Sequence, residues 1–362
     1  MRKQRNLGIL AELAIKELEQ DKEQYDRLVI DGIRNLAEID FLRDTFGNRF
    51  YLFALECPQS NRWERLRPSY ERSGRSMTDF LSDDRRDRDE ELEHGQQVQL
   101  CVDQADVLID NSDDVSQADL RTKLGDYAEL VLGLQYRFAK PIEIYMNVAY
   151  SASHGSKCIK RQVGAVLVSA LPNVMGEVVG QGFNENPLRT SPCIEEPKYG
   201  ADLQRRIPGK CYRDIVGQEG FVQLSESGVR CPKCGEKIRL LNPTGPPWRC
   251  VGCEEDLERY FWPERAMTLC TAVHAEVAAI LSAAGRTKDT TLYSTTFPCF
   301  QCSEKITQAG ITNIVFNEIY PDIRAAERLE IAGINVLRFE GVRSRRFDEI
   351  FSKAQKSAEQ KN

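Results

Sequence analysis

Apolar positions along the first third of the chain switch between helical spacing and short continuous runs, the mark of alternating helices and strands. A helix is expected from Gly8 to Gln20 and a strand from Tyr25 to Asp31. After the turn Gly32-Ile33-Arg34-Asn35 come a second helix, Leu36 to Thr45, and a strand, Phe50 to Leu55. Further on, Val98 to Ala105 reads as helix, Asp106 to Asn111 as strand, and Ser116 to Leu132 as a helix capped by Ser116. That order suggests a parallel α/β layer. Pro141 marks a boundary, and the alternation then resumes. A helix from Tyr145 to Ser153 precedes strands over Gln162 to Val168 and Glu177 to Phe183. His274 precedes the apolar-periodic run Val277, Ala278, Ile280, Leu281, and Cys299 opens another that contains Ile306. Strands are expected at Thr290 to Thr296, Asn313 to Phe316 and Ile334 to Phe339, with a helix from Asp322 to Ala332. A helix between the last two strands makes them parallel. The polar end, Lys353 to Asn362, reads as a frayed tail.

Composition narrows this picture only a little. At 362 residues the chain is expected to hold two or three domains. It is 41% hydrophobic and 29% charged, with a formal net charge of −6, which argues against a broad nucleic-acid surface. No apolar run reaches the length of a membrane span. The basic start Met1-Arg2-Lys3-Gln4-Arg5 leads into a segment carrying Glu12, Lys16, Glu17 and Glu19, unlike the apolar core of a signal peptide. A cytoplasmic protein is expected. Six of the twelve cysteines fall in three C-x-x-C pairs, a usage that points to metal rather than to disulfides.

Two of those pairs flank a spacer. Cys231-Pro232-Lys233-Cys234 and Cys250-Val251-Gly252-Cys253 stand fifteen residues apart, the spacing of a closed four-thiolate zinc site. With Trp248 and several Gly and Pro nearby, residues 225–258 read as a small zinc ribbon that depends on its metal to fold. Such a closed site has a structural or interaction role. The third pair differs. Val273-His274-Ala275-Glu276 and Pro298-Cys299-Phe300-Gln301-Cys302 together offer His274, Cys299 and Cys302 to one zinc ion, leaving a fourth position for water. Glu276 is spare and can carry protons. Both ligand groups precede helical runs, so they are expected at helix N-termini, where the dipole favours thiolates and carboxylates. Cys193, Cys211 and Cys270 have no partner at a motif distance and read as ordinary buried thiols.

The pattern H-x-E…P-C-x-x-C resembles that of zinc nucleobase deaminases. The order helix, Val163-Gly164-Ala165 strand, Gly182-Phe183-Asn184-Glu185-Asn186-Pro187 turn, His274-Ala275-Glu276 helix and Cys299–Cys302 helix is similar to deoxycytidylate deaminases. The resemblance implies a cytidine-deaminase-like α/β/α sandwich with a five-stranded mixed sheet over residues 141–350, interrupted by the ribbon and followed by a tail at 351–362. It implies that zinc activates water for attack on C4 of cytosine while Glu276 moves the protons. It also implies substrate contacts from Asn184, Ala275 and Tyr320. Glu185 replaces the second glycine of the family's turn, a turn that in the family also serves nucleotide regulation.

Residues 1–140 resemble the second half of a P-loop nucleotide kinase of the dephospho-coenzyme A kinase type. The resemblance rests on Asp31-Gly32-Ile33-Arg34 at a strand end, a lid-like Trp63-Glu64-Arg65-Leu66 with the charged run from Asp83 to Asp87, and Ala105 to Asn111 as a late core strand. No G-x-x-x-x-G-K-[ST] occurs anywhere in the chain, so this partial domain lacks a Walker A loop. The stretch 83–93 reads as a solvated face or lid. The two halves together look like bacterial anti-phage dCTP deaminases. That resemblance implies hydrolysis of dCTP and/or dCMP to dUTP or dUMP plus ammonia, one catalytic and one structural Zn2+, and a homo-oligomer, commonly a hexamer. Two alternatives stay open: a tRNA or single-stranded nucleic-acid base deaminase, which would use a basic groove, and a non-enzymatic nucleotide sensor.

Overall fold

The computed structural model describes residues 8–20, 25–88, 96–112, 115–187, 192–195, 211, 231, 233–236, 250–254, 270, 272–319 and 323–359. In chain order these form α1 (Ile9–Gln20), α2 (Leu36–Phe46), β1 (Phe53–Glu56), α3 (Gln59–Arg72), α4 (Met77–Arg88), α5 (Val98–Asp103), β2 (Val107–Asp110) and α6 (Gln117–Val131). There follow α7 (Pro141–Ser153), β3 (Gly164–Val168), β4 (Val178–Phe183), α8 (Ala275–Ser282), β5 (Thr291–Thr296) and α9 (Phe300–Gln308). The last elements are β6 (Asn313–Glu318), α10 (Ile323–Ile331), β7 (Asn335–Arg338), β8 (Gly341–Val342) and α11 (Phe347–Glu359). The fold class is α/β. The chain divides into two compact units, 1–147 with 338–362, and 148–337.

The second unit is built on the expected five-stranded mixed sheet, in the order β4-β3-β5-β6-β7. The strand β3 pairs antiparallel with both β4 and β5, while β5 and β6 run parallel from Thr291↔Asn313 to Thr296↔Glu318. Strands buried on both faces carry nearly continuous apolar residues, and Gly164 to Val168 is buried throughout. The core joins Leu167, Leu292 and Ile314 of the sheet to Ala279, Ile306 and Leu329 of the helices.

The helix α8 lies close against β4, and small residues make that approach sterically possible. Its fully buried face is Ala275, Ala279 and Ala283, one helical turn apart, rather than the larger apolar side chains that revealed the helix in sequence; Leu281 is 69% exposed. Opposite stand Gly180 and Gly182 of β4. A Cβ on Gly182 would come within 2.5 Å of the Ala279 nitrogen, and one on Gly180 within 2.4 Å of the Ala279 oxygen. The Ser282 hydroxyl then clamps the pair, accepting from the Gln181 N–H and donating to the Gln181 carbonyl, both at 2.8 Å. Those are backbone groups of a strand at the end of the sheet, so the hydroxyl completes an otherwise open edge.

In the first unit β1 and β2 are parallel, paired from Phe53↔Val107 to Glu56↔Asp110, and β8 adds an antiparallel edge. Asn35 caps α2 by accepting from the Ala37 N–H, and Glu38 reaches back to the Asn35 N–H. The buried Glu143 carboxylate takes two hydrogen bonds from the Arg137 guanidinium, each 2.7 Å, and one from the Val342 N–H. This pairing anchors the start of α7 and the edge strand together, and the geometry compensates the burial of the charge.

Two expectations are corrected here. Tyr25 to Asp31 is not a strand: Val29 is 90% exposed and the segment packs too little apolar surface to settle into a ladder. The end of the chain is not a frayed tail of a 141–350 domain. Phe347, Ile350 and Phe351 recur at helical spacing in α11, and Ile350 is fully buried in one cluster with Val107, Tyr127 and Leu130. Residues 338–362 therefore belong to the first unit. The charged stretch at 83–93 is α4 up to Arg88, held to α3 by the Arg62–Asp84 pair and by Trp63, Tyr70 and Phe80 rings in mutual contact. The remainder of that stretch lies outside the described residues.

Substituting Gly182→Ala forces α8 off β4 and is expected to destabilise the protein by roughly 1–3 kcal/mol. A urea unfolding midpoint equal to that of the unsubstituted protein would show the contact to be slack.

Candidate active site and metal centres

Two loops deliver the site, and each ends as a helix begins. Val273 pairs with Glu185 in an isolated antiparallel bridge, and the next residue, His274, is the N-cap of α8. Pro298 follows β5, and Cys299 is the N-cap of α9. Both caps have extended backbone, with ψ of 153° and 171°, so neither side chain is wound into its helix. The Phe297 N–H bonds the Glu318 carbonyl at 2.8 Å, and the Phe297 ring meets Phe316 edge-on, which fixes the approach to Cys299.

The resulting geometry suits a metal ion. His274 Nδ1 lies 3.2 Å from Cys302 Sγ and 3.4 Å from Cys299 Sγ, and the three ligand atoms fall within 4.8 Å of one another. Tetrahedral zinc, with bonds of about 2.3 Å to sulfur and about 2.05 Å to nitrogen, sets such N···S pairs about 3.5 Å apart. The chain thus provides three donors of the right chemistry at nearly the right separation, without a fourth among the described residues at that point. Glu276 sits in the first turn of α8, 4% exposed, its Oε2 accepting from the Cys302 thiol at 3.5 Å.

Burial raises the Glu276 carboxyl above the usual range; His274 opposes that shift and Cys299 adds to it. The two thiols divide unequally. A hydrogen bond from Cys302 and the nearby His274 bring Cys299 down to about 4 despite burial, while Cys302 is pushed up by the same hydrogen bond and by burial. His274 is raised, chiefly by Cys299, against its own burial. A cation coordinated there would hold both thiols deprotonated.

The other two C-x-x-C pairs also meet. Cys231 Sγ is 3.7 Å from Cys253 Sγ, and Cys234 Sγ is 3.7 Å from Cys250 Sγ, against about 3.8 Å for two sulfurs on tetrahedral zinc. Gly235 takes φ +73°, and its N–H bonds the Cys231 carbonyl, the tight turn that lets both thiols of one pair face the same point. Four cysteine sulfurs would fill every position of a tetrahedral ion there. Most of residues 225–258, Trp248 included, lie outside the described residues.

The expected substrate contacts fare unevenly. Asn184 stands at the end of β4, but both ends of its amide are engaged by backbone: Oδ1 accepts from the Val163 N–H at 2.8 Å and Nδ2 donates to the Arg161 carbonyl at 2.9 Å. Ala275 is fully buried at the start of α8. Tyr320 lies outside the described residues. Cys193, Cys211 and Cys270 are not buried thiols as expected; all three are half-exposed and line one cavity together with Cys158. Sequence reasoning also missed the Arg161–Glu318 ion pair, to whose carboxylate Tyr150 and Thr296 both donate. No motif marks these residues, because they meet only through the sheet.

An open three-ligand metal site with a buried carboxylate beside it belongs to the zinc hydrolases that activate water. Residues 139–318 match the family described as "Cytidine and deoxycytidylate deaminase zinc-binding region". Over that region the chain is similar to this family. The deoxycytidylate deaminase of Schizosaccharomyces pombe is 27% identical over 199 residues, 54% of this chain and 42% of that protein. A UPF0200/UPF0201 protein of Archaeoglobus fulgidus is 22% identical over 191 residues, 52% of this chain and 55% of that protein. The chain thus spans about half the length of the curated relatives it matches. A solved dCMP deaminase from the cyanophage S-TIM5, in complex with dCMP and dUMP, shares 20% identity at a TM-score of 0.31, covering 56% of this chain and 99% of that one. Among the described residues no helix is long and apolar enough to cross a membrane.

Replacing His274 with Ala should remove about one zinc equivalent while the Cys231–Cys253 site stays loaded. Elemental analysis of the purified variant checks this; an unchanged zinc content would take His274 out of the ligand set.

Proposed function

We propose that the protein hydrolyses the exocyclic amine of a deoxycytidine nucleotide, dCMP and/or dCTP, to give the deoxyuridine nucleotide and ammonia. The observation that carries this reading is the convergence of His274, Cys299 and Cys302 with a buried carboxylate left over beside them. Held by His274, Cys299 and Cys302, a zinc ion would supply the polarisation that makes water a nucleophile near neutral pH. The rest falls to the chain. Glu276 takes the proton released from water and delivers protons to ring N3 and to the departing amine. The C4–N bond breaks, C4 keeps the oxygen, and ammonia leaves. Burial suits Glu276 to this work, because a carboxyl raised from its ordinary range gives up and regains a proton more evenly near neutral pH.

On this reading the protein uses two kinds of zinc, a catalytic ion at His274, Cys299 and Cys302 and a structural ion at the four-cysteine site. It works in the cytoplasm as a homo-oligomer, and depleting deoxycytidine nucleotides serves defence against phage. The name of the S. pombe relative supports the nucleotide substrate class.

Ammonia release from dCMP, dCTP, CMP, CTP and a short cytosine-bearing RNA tests the substrate. Turnover confined to deoxycytidine nucleotides is expected, and turnover of the RNA alone would overturn the reading. Glu276→Gln should lower turnover by at least ~100-fold while zinc content is retained, the scale of a positioned acid–base group. Near-normal activity in that variant would remove Glu276 from the proton path.

A further inference from the structure

His274 and Cys299 arrive at the metal centre on separate stretches of chain, and each stretch is tied back to the sheet by hydrogen bonds. On one side, His274 follows Val273, which is bridged to Glu185 by two backbone hydrogen bonds of 3.0 and 2.7 Å. Glu185 follows Asn184, whose Nδ2 donates to the Arg161 carbonyl. On the other side, Cys299 comes shortly after Phe297, whose N–H donates to the Glu318 carbonyl. The side chains of Arg161 and Glu318 then meet in an ion pair. Two routes that begin at opposite sides of the metal centre therefore end on each other. We propose that this ion pair is a strut that sets the separation of His274 from Cys299, which makes Arg161 and Glu318 positioning residues for the centre.

Strand direction puts the pair at the correct end of the sheet. β3 starts soon after Arg161, and its start lies beside the end of β4, at Gly164↔Phe183, and near the end of β5, at Ala165↔Ser294. β6 runs parallel to β5 and ends beside it, at Thr296↔Glu318. The Asn184 turn and the Cys299 loop both leave from this edge. The ion pair reaches from the start of β3, past the end of β5, to the end of β6. No backbone ladder makes that link, because β3 and β6 are not neighbours in the sheet.

The Glu318 carboxylate is held in one orientation. Besides Arg161 it accepts from the Tyr150 hydroxyl at 3.2 Å and from Thr296 Oγ1 at 3.4 Å. The Asn317 amide in turn donates to the Tyr150 hydroxyl. A carboxylate fixed by three donors fixes the planar guanidinium against it. The two side chains are 39% and 24% exposed, so the pair adds little to global stability. What it supplies is placement, and a small misplacement at a reacting centre is costly in rate.

This role rests on the zinc-dependent deaminase reading, and cobalt(II) titration of the full-length protein separates the two questions. The His274→Ala protein keeps the four-cysteine centre alone, so subtracting its spectrum isolates the bands of the His274 centre. Arg161→Met and Glu318→Gln should each weaken cobalt binding there by about 10-fold, the low end of what is lost when groups that orient metal ligands are removed. The four-cysteine bands should stay as they were. The double variant should lose no more than either single one, since both remove the same interaction. Arg161→Lys should recover most of the affinity. Turnover of dCMP or dCTP should fall through kcat rather than KM. Unchanged cobalt affinity in both single variants, or losses that add in the double variant, would overturn the proposal. So would a loss confined to Arg161→Met and to KM, which would make Arg161 a ligand for the substrate phosphate. A protein silent on every deoxycytidine nucleotide would defeat the deaminase reading, while the cobalt titration would still decide the strut.

Discussion

The active centre depends on two helices whose N-termini are aimed at the same point. Each helix start leaves backbone N–H groups without an intrahelical partner, and their field favours anions there. The chain places a histidine and a thiol as the caps, then a carboxylate and a second thiol in the first turns, so the negative groups needed to hold a cation sit where the backbone already favours them. The arrangement depends in turn on distance. If α8 stood further from β4, His274 would retreat from Cys299, and the alanine–glycine contact is what prevents that. Small side chains here set the reach of a metal ligand.

Much of this could be read from the residues themselves. His274, Glu276, Cys299 and Cys302 announce their chemistry through type and spacing, and the strands around them are apolar runs bounded by turn residues. The mixed character of the sheet fits the connections too: β3 and β4 are antiparallel neighbours, whereas α9 separates the parallel pair β5 and β6. Less legible was the means of close packing. Val277, Ile280 and Leu281 revealed that α8 is a helix, yet its alanine face is what meets the sheet, since a face that must approach a backbone closely cannot carry bulk. Hydrophobic patterning reports burial, and it under-reports contacts made by residues with little side chain.

Two other misreadings share a cause. Tyr25 to Asp31 looked like a strand because its residues favour extended structure, but a strand exists only with a neighbour, and none is supplied among the described residues. The last residues looked like a tail because they are polar, yet one turn of helix bearing Phe347, Ile350 and Phe351 is enough to bind them to a core built by α6 and β2. The four cysteines around one cavity were invisible for a similar reason. Their proximity is a product of topology, and linear spacing contains no trace of it.

The discontinuity of the first unit has a consequence for synthesis. Its sheet takes β1 and β2 from early in the chain and β8 from near the end, and its core waits for Ile350. The second unit has every strand it needs once residue 338 has left the ribosome. On a chain made from the N-terminus, the later unit can thus finish folding while the earlier one still exposes Val107, Tyr127 and Leu130. The order of completion reverses the order of translation, and the interval between them is when the nascent protein most needs shielding from aggregation.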